Sequence, residues 1–86
     1  MNAVLLPGGL DFRPMEHEDI GTVMQIEVRS YPHPWSGVIF RDCLKAGYPG
    51  IIASSEGQMI GYAMLSVAVG ESHLLNLCVA PEYQGR

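Results

Sequence analysis

The sequence predicts an α+β domain: a mixed sheet in an α/β/α sandwich, with elements in the order strand, helix, helix, strand, strand, strand. Three observations carry this expectation. Apolar residues recur at helical spacing over residues 16–29 and 37–46. Short runs of strand character, bounded by Gly, Pro and Ser, occupy residues 51–54, 59–69 and 73–80. The last run is almost unbroken apolar sequence, the pattern of a strand covered on both faces and set in the middle of a sheet.

Residues 1–9 read as a loose leader that ends in the breaker Pro7-Gly8-Gly9. Leu10, Asp11, Phe12 and Arg13 alternate apolar and polar, which suits a short strand that Pro14 ends or marks as an edge. In the first helix Ile20, Val23, Met24 and Val28 form the expected apolar face. Glu16, Glu18 and Asp19 crowd its first turn and Arg29 its last, where the helix dipole favours each sign. The segment Tyr31-Pro32-His33-Pro34-Trp35 cannot be helical, because each proline holds its predecessor extended.

Ser36 is a suitable N-cap for the second helix and Gly47 closes it. With Ser36 as cap, Trp35 and Phe40 stand at the spacing of a hydrophobic staple. Ile39, Phe40, Cys43 and Leu44 would be buried. Glu56-Gly57-Gln58 turns the chain between the next two strands, and Gly61 marks a bulge or a close backbone approach. Gly70-Glu71-Ser72 supplies the following turn, and Pro81 ends the last strand.

Composition narrows the function classes. Five Lys and Arg stand against nine Asp and Glu, with no run of like charge, which lacks the basic footprint of a nucleic-acid binder. The two cysteines, Cys43 and Cys78, form no C-x-x-C pair, and His17, His33 and His73 are scattered, so neither a metal site nor a disulfide framework is expected. The N-terminus has no basic region ahead of its apolar run, and no stretch reaches the length of a membrane span. The expected compartment is the cytoplasm, with both thiols reduced.

Three stretches together resemble one family. They are Pro34-Trp35-Ser36 opening a helix, the hairpin Gly57-Gln58-Met59-Ile60-Gly61-Tyr62, and the run from Leu74 through Pro81 to Tyr83-Gln84-Gly85-Arg86. The last looks like the central strand of the GNAT superfamily of N-acetyltransferases running into its Q-x-x-G-x-G/A loop. The resemblance covers nearly all of residues 10–86 and implies the N-terminal part of such a domain, truncated after the central strand. It is nearest to the subgroup that acetylates the N-terminal alanine of a small-subunit ribosomal protein.

The resemblance implies a chemistry and a site. Acetyl transfer from a thioester to an amine requires an amine that loses its proton, donors for the oxyanion, and a grip on the pyrophosphate of acetyl-CoA. Leu77 and Val79 would offer backbone groups to the pantetheine arm and the acetyl carbonyl, with the backbone of Cys78 between them. A bulge in this strand would aim an N–H at the oxyanion. Gln84, Gly85 and Arg86 would begin the pyrophosphate cradle. The family's catalytic glutamate and tyrosine would lie beyond Arg86, so no residue here is assigned either role and the isolated chain is expected to be inactive.

Read without the resemblance, the same residues have plainer explanations. Leu77 and Val79 would be core residues of any central strand. Glu27, Tyr31 and Trp35 could line the acceptor groove, but Glu27 reads first as a solvated helix charge, and Trp35 is explained by the staple. Cys78 lacks any neighbour in sequence that would activate it, so it reads as a small hydrophobe. Two other functions stay open at this stage: a non-catalytic half-domain that binds a partner, and a family member acting on another amine such as a polyamine, an antibiotic or a lysine. An open edge on the last strand would recruit other chains.

Overall fold

A computed structural model describes residues 9–84. The element order is the expected one: β1 (Asp11–Pro14), α1 (Ile20–Ser30), α2 (Gly37–Lys45), β2 (Gly50–Ser55), β3 (Gln58–Ala68) and β4 (Glu71–Val79), with 3-10 turns at His17–Asp19 and Pro81–Tyr83. The strands form a four-stranded sheet in the order β1-β2-β3-β4. Every pairing among the described residues is antiparallel. The parallel part of the expected mixed sheet is therefore not among these strands.

Helices α1 and α2 cover one face of the sheet. Val23, Ile26, Phe40, Ile52, Tyr62, Met64 and Cys78 close over one another as the core between the layers. The turns follow their residue types. Glu56 and Gly57 both take positive φ, 51° and 79°, which is the geometry a two-residue hairpin asks for. Ser36 caps α2 as expected, accepting the Ile39 N–H at 3.3 Å. The staple forms as well: the Trp35 and Phe40 rings lie 5.1 Å apart between centroids. Phe40 in turn meets Tyr62 edge-on at 5.9 Å.

Two helix faces differ from expectation by one position each. The inward stripe of α1 is Val23, Ile26 and Glu27, while Val28 is exposed. Residues 23, 26, 27 and 30 follow the i, i+3, i+4, i+7 rule, and five residues from Val23 carries Val28 around to the flank. On α2, Phe40 is fully buried with Cys43 and Leu44 packed against the core, and Ile39 is left outside. The acidic segment before α1 begins as a 3-10 turn rather than as helix. There Asp19 accepts from both terminal guanidinium nitrogens of Arg13, at 2.7 and 2.8 Å, and from the Glu16 N–H at 2.8 Å.

Strand β4 has the open edge expected of the last strand present, being the edge strand among the described residues, but it is not covered on both faces as its apolar run suggests. Leu74, Leu75, Leu77 and Val79 are all exposed, Leu77 at 55%. The reason is geometric: both helices lie on the face that Asn76 and Cys78 point to, and no described strand pairs on the far side.

Candidate functional site

The site is built where β3 and β4 are bent out of regular register. On β3 one extra residue, Ile60, sits between the pairs Ala53–Gly61 and Ser54–Met59. Gly61 is next to that irregularity and faces Val79 across the strands. A side-chain carbon on Gly61 would lie 2.8 Å from the Cys78 carbonyl oxygen, so glycine is required by the close backbone approach. On β4 the extra residue is Leu75, between the pairs Met64–Asn76 and Leu65–Leu74. The expected bulge in the last strand therefore exists, and it immediately precedes Asn76.

Below the bulge the edge of β4 carries backbone groups that no strand among the described residues pairs. The Leu77 carbonyl accepts the Tyr31 hydroxyl. The Val79 carbonyl accepts Gln84 Nε2 at 2.6 Å. Antiparallel pairing sends the N–H and C=O of one residue the same way, so Leu77 and Val79 both present their backbone to the open edge. Cys78 is buried between them, its thiol 3.7 Å from the Val79 carbonyl. Gly85 and Arg86, expected to begin the pyrophosphate cradle, lie outside the described residues.

Beside this edge is a groove of about 310 Å³ lined by Glu27, Tyr31, His33, Trp35, Leu75, Asn76 and Leu77. All three acceptor-side candidates, Glu27, Tyr31 and Trp35, thus converge on one place, together with the strand expected to carry the thioester. Glu27 is not the solvated charge that its sequence context suggests. It is 1% exposed and sits on the inward stripe of α1. Its Oε1 accepts the Tyr62 hydroxyl at 2.6 Å, and its Oε2 accepts the Trp35 N–H at 2.9 Å. Asn76 Nδ2 donates to both oxygens, at 3.3 and 3.2 Å.

Among the described residues no cation pairs with Glu27. Burial, and after it the hydrogen bond to Glu27, pushes the Tyr62 phenol far above its ordinary value, so it remains a donor. The Tyr31 phenol is raised too, first by burial and then by the nearby Cys78 thiol and Glu27 carboxylate. Tyr62 and Asn76 were not expected as site residues. Asn76 had a visible signal, being the one polar residue inside the final apolar run; Tyr62 had none beyond its place in the hairpin. Elsewhere, His73 is exposed next to Glu71, Glu82 pairs with Arg29, and no group of three or more metal-ligating side chains occurs among the described residues. No helix among them is long and apolar enough to cross a membrane.

A buried polar clamp beside a strand edge, on a four-stranded antiparallel sheet with two helices, defines an α+β domain. The sequence profile of the Acetyltransferase (GNAT) family matches residues 18–86, and the chain belongs to that family. It is 30% identical over 70 residues to the [ribosomal protein bS18]-alanine N-acetyltransferase of Escherichia coli K12, a match covering 81% of this chain and 47% of that protein. The crystal structure of the E. coli ribosomal-protein-S18-alanine N-acetyltransferase superposes with a TM-score of 0.82 at 27% identity, over 90% of this chain and 50% of that one. The GNAT N-acetyltransferase YhbS of E. coli, solved in complex with CoA, shares the fold with a TM-score of 0.70 at 22% identity, over 98% of this chain and 52% of that one. The chain thus spans about half the length of the curated relatives it matches.

Proposed function

We propose that this chain is the N-terminal half of an enzyme that transfers the acetyl group of acetyl-CoA to a protein N-terminal amine, with the alanine of ribosomal protein S18 as acceptor. The observation that carries the reading is the open edge of β4, where Leu77 and Val79 present backbone groups beside a groove of about 310 Å³. An extended pantetheine arm carries amides that match such an edge, as an added strand would. The similarity to the E. coli enzyme supports the choice of acceptor.

The residues fit their parts as follows. The β4 backbone at Leu77, Cys78 and Val79 holds the thioester arm, and Tyr31 and Gln84 give up their carbonyl partners when it enters. Gln84, Gly85 and Arg86 open the loop for the pyrophosphate, whose negative charge suits backbone N–H groups at a helix start. Trp35, Tyr31 and the wall fixed by Glu27 shape the entrance for the acceptor's terminus. The groups that move the amine and thiolate protons belong to sequence beyond Arg86, and the 86-residue chain alone is inactive. The protein works in the cytoplasm.

The test is acetyl-CoA turnover by the complete encoded protein against peptides that bear the S18 N-terminus, with polyamines, an aminoglycoside and lysine peptides as competitors. Turnover confined to the S18 peptide is expected. Turnover on the other amines alone would move the acceptor elsewhere in the family. The coding sequence after Arg86 is expected to continue Gly-x-Gly or Gly-x-Ala into a helix, and a continuation without those glycines would defeat the reading.

A further inference from the structure

We infer that Glu27 is a positioning residue that locks the register of β4, and so decides which backbone groups reach the open edge. The inference rests on the acetyl-transfer reading above. A one-residue change of register on a strand turns every residue to the opposite side. The bulge at Leu75 is where such a slip would be absorbed, since an extra residue there can migrate along the strand. If that extra residue were taken up into regular pairing, the strand beyond it would shift by one, and Asn76 and Cys78 would take the outward places of Leu77 and Val79.

Asn76 opposes that slip because its amide is clamped by both oxygens of the Glu27 carboxylate, at 3.2 and 3.3 Å. The same carboxylate is fixed to β3 through Tyr62, which pairs with Cys78 across the strands, and to the loop ahead of α2 through the Trp35 N–H. One group therefore references the strand edge, its neighbour strand and the groove wall to each other. A buried carboxylate without a cation is an expensive way to fill core volume, and a well-packed apolar side chain is commonly as stable or more so. Glu27 is 1% exposed and has no ion pair among the described residues, so its chemistry is explained by what it orients rather than by packing.

The experiment compares the complete encoded protein with its Glu27→Gln and Asn76→Ala variants, at a temperature where circular dichroism shows all three fully folded. Asn76→Ala leaves Glu27 its Tyr62 and Trp35 partners and serves if Glu27→Gln does not fold. Loosening the lock is expected to lower kcat for acetyl transfer at least about tenfold. The KM for acetyl-CoA should stay within about threefold, because the pyrophosphate grip lies beyond the strand. Amide hydrogen exchange at Asn76 and Cys78, whose N–H groups face β3, should quicken at least about tenfold in the variants while Ala63, which faces β2, stays protected. A kcat within twofold of the parent in the folded variants would overturn the positioning role and leave acetyl transfer standing. A parent protein with no transfer at all would refute the acetyl-transfer reading, and with it any part for Glu27 in that chemistry.

Discussion

Replacing Gly61 by alanine probes the approach of β3 and β4 that the candidate site depends on. The new carbon would sit 2.8 Å from the Cys78 carbonyl oxygen, while ordinary contact begins near 3.4 Å. The obstructing atom is backbone, so no rotamer change relieves it, and the strands must part by about 0.6 Å. A shift of that size takes an N–H···O bond of about 2.9 Å out of its useful range, at a net cost of about 1 kcal/mol. Overpacking strain adds about 1–3 kcal/mol. The stiffer unfolded chain returns about 0.4–1 kcal/mol.

The balance is a destabilisation of about 2 kcal/mol, equivalent to about 10 °C in Tm for a domain of this size. Urea unfolding of the 86-residue chain, followed by fluorescence of its single tryptophan Trp35, measures this directly. Gly21→Ala is the control. Position 21 lies in α1 with nothing within 4 Å of the added carbon, so alanine there should stabilise by about 0.5 kcal/mol. A Gly61→Ala midpoint within about 0.5 kcal/mol of the parent would refute the close-approach argument.

Other perturbations read other parts of the fold. Tyr62→Phe takes one donor from buried Glu27 and should destabilise by about 1–3 kcal/mol in the same urea assay. Ser36→Ala removes the α2 cap and should cost about 1 kcal/mol, measured as a lower Tm. The Arg13 guanidinium holds the Asp19 carboxyl below its ordinary value, so the unfolded chain binds that proton more readily than the folded one. The resulting stability is whole above about pH 4 and is lost as pH falls below it; an Asp19→Asn variant should show a flatter stability-pH curve there. Burial, then the neighbouring Asp42 charge, raises the Cys43 thiol, so alkylation of the native chain at pH 8 should be slower than that of a free thiol. The apolar edge of β4 should drive concentration-dependent association, and a sharp monomer boundary in sedimentation would count against it.

Local chemistry was legible in the sequence wherever neighbours in the chain decide the outcome. The Ser36 cap, the Trp35–Phe40 staple, the Glu56-Gly57 turn and the need for glycine at position 61 each depend on a few adjacent residues or one backbone constraint. The start of α1 moved from Glu16 to Ile20, with a 3-10 turn taking the residues between, the far ends of α1 and α2 moved by one residue each, and the choice between Ile26 and Val28 as core turned on helix phase. Glu27 could not be read this way. Its partners lie 8, 35 and 49 positions away, and only the packed sheet brings them to one carboxylate. Exposure rules treat an acidic residue near a helix end as solvated, and they hold until tertiary donors outweigh the water that burial removes.

The β4 run shows the opposite limit. Leu74, Leu75, Leu77 and Val79 are apolar because the strand is suited to cover on both faces, and that suitability is a property of sequence alone. Which segment supplies the cover is a property of topology. Here α1 and α2 serve only the face of Asn76 and Cys78, and the leucines and Val79 are left exposed. The same exposure frees the Leu77 and Val79 backbone to take side-chain donors from Tyr31 and Gln84. An edge that will take a hydroxyl and an amide donor in turn has the polarity to take the amides of an extended ligand. The open edge expected of the last strand is thus the feature on which the proposed chemistry depends.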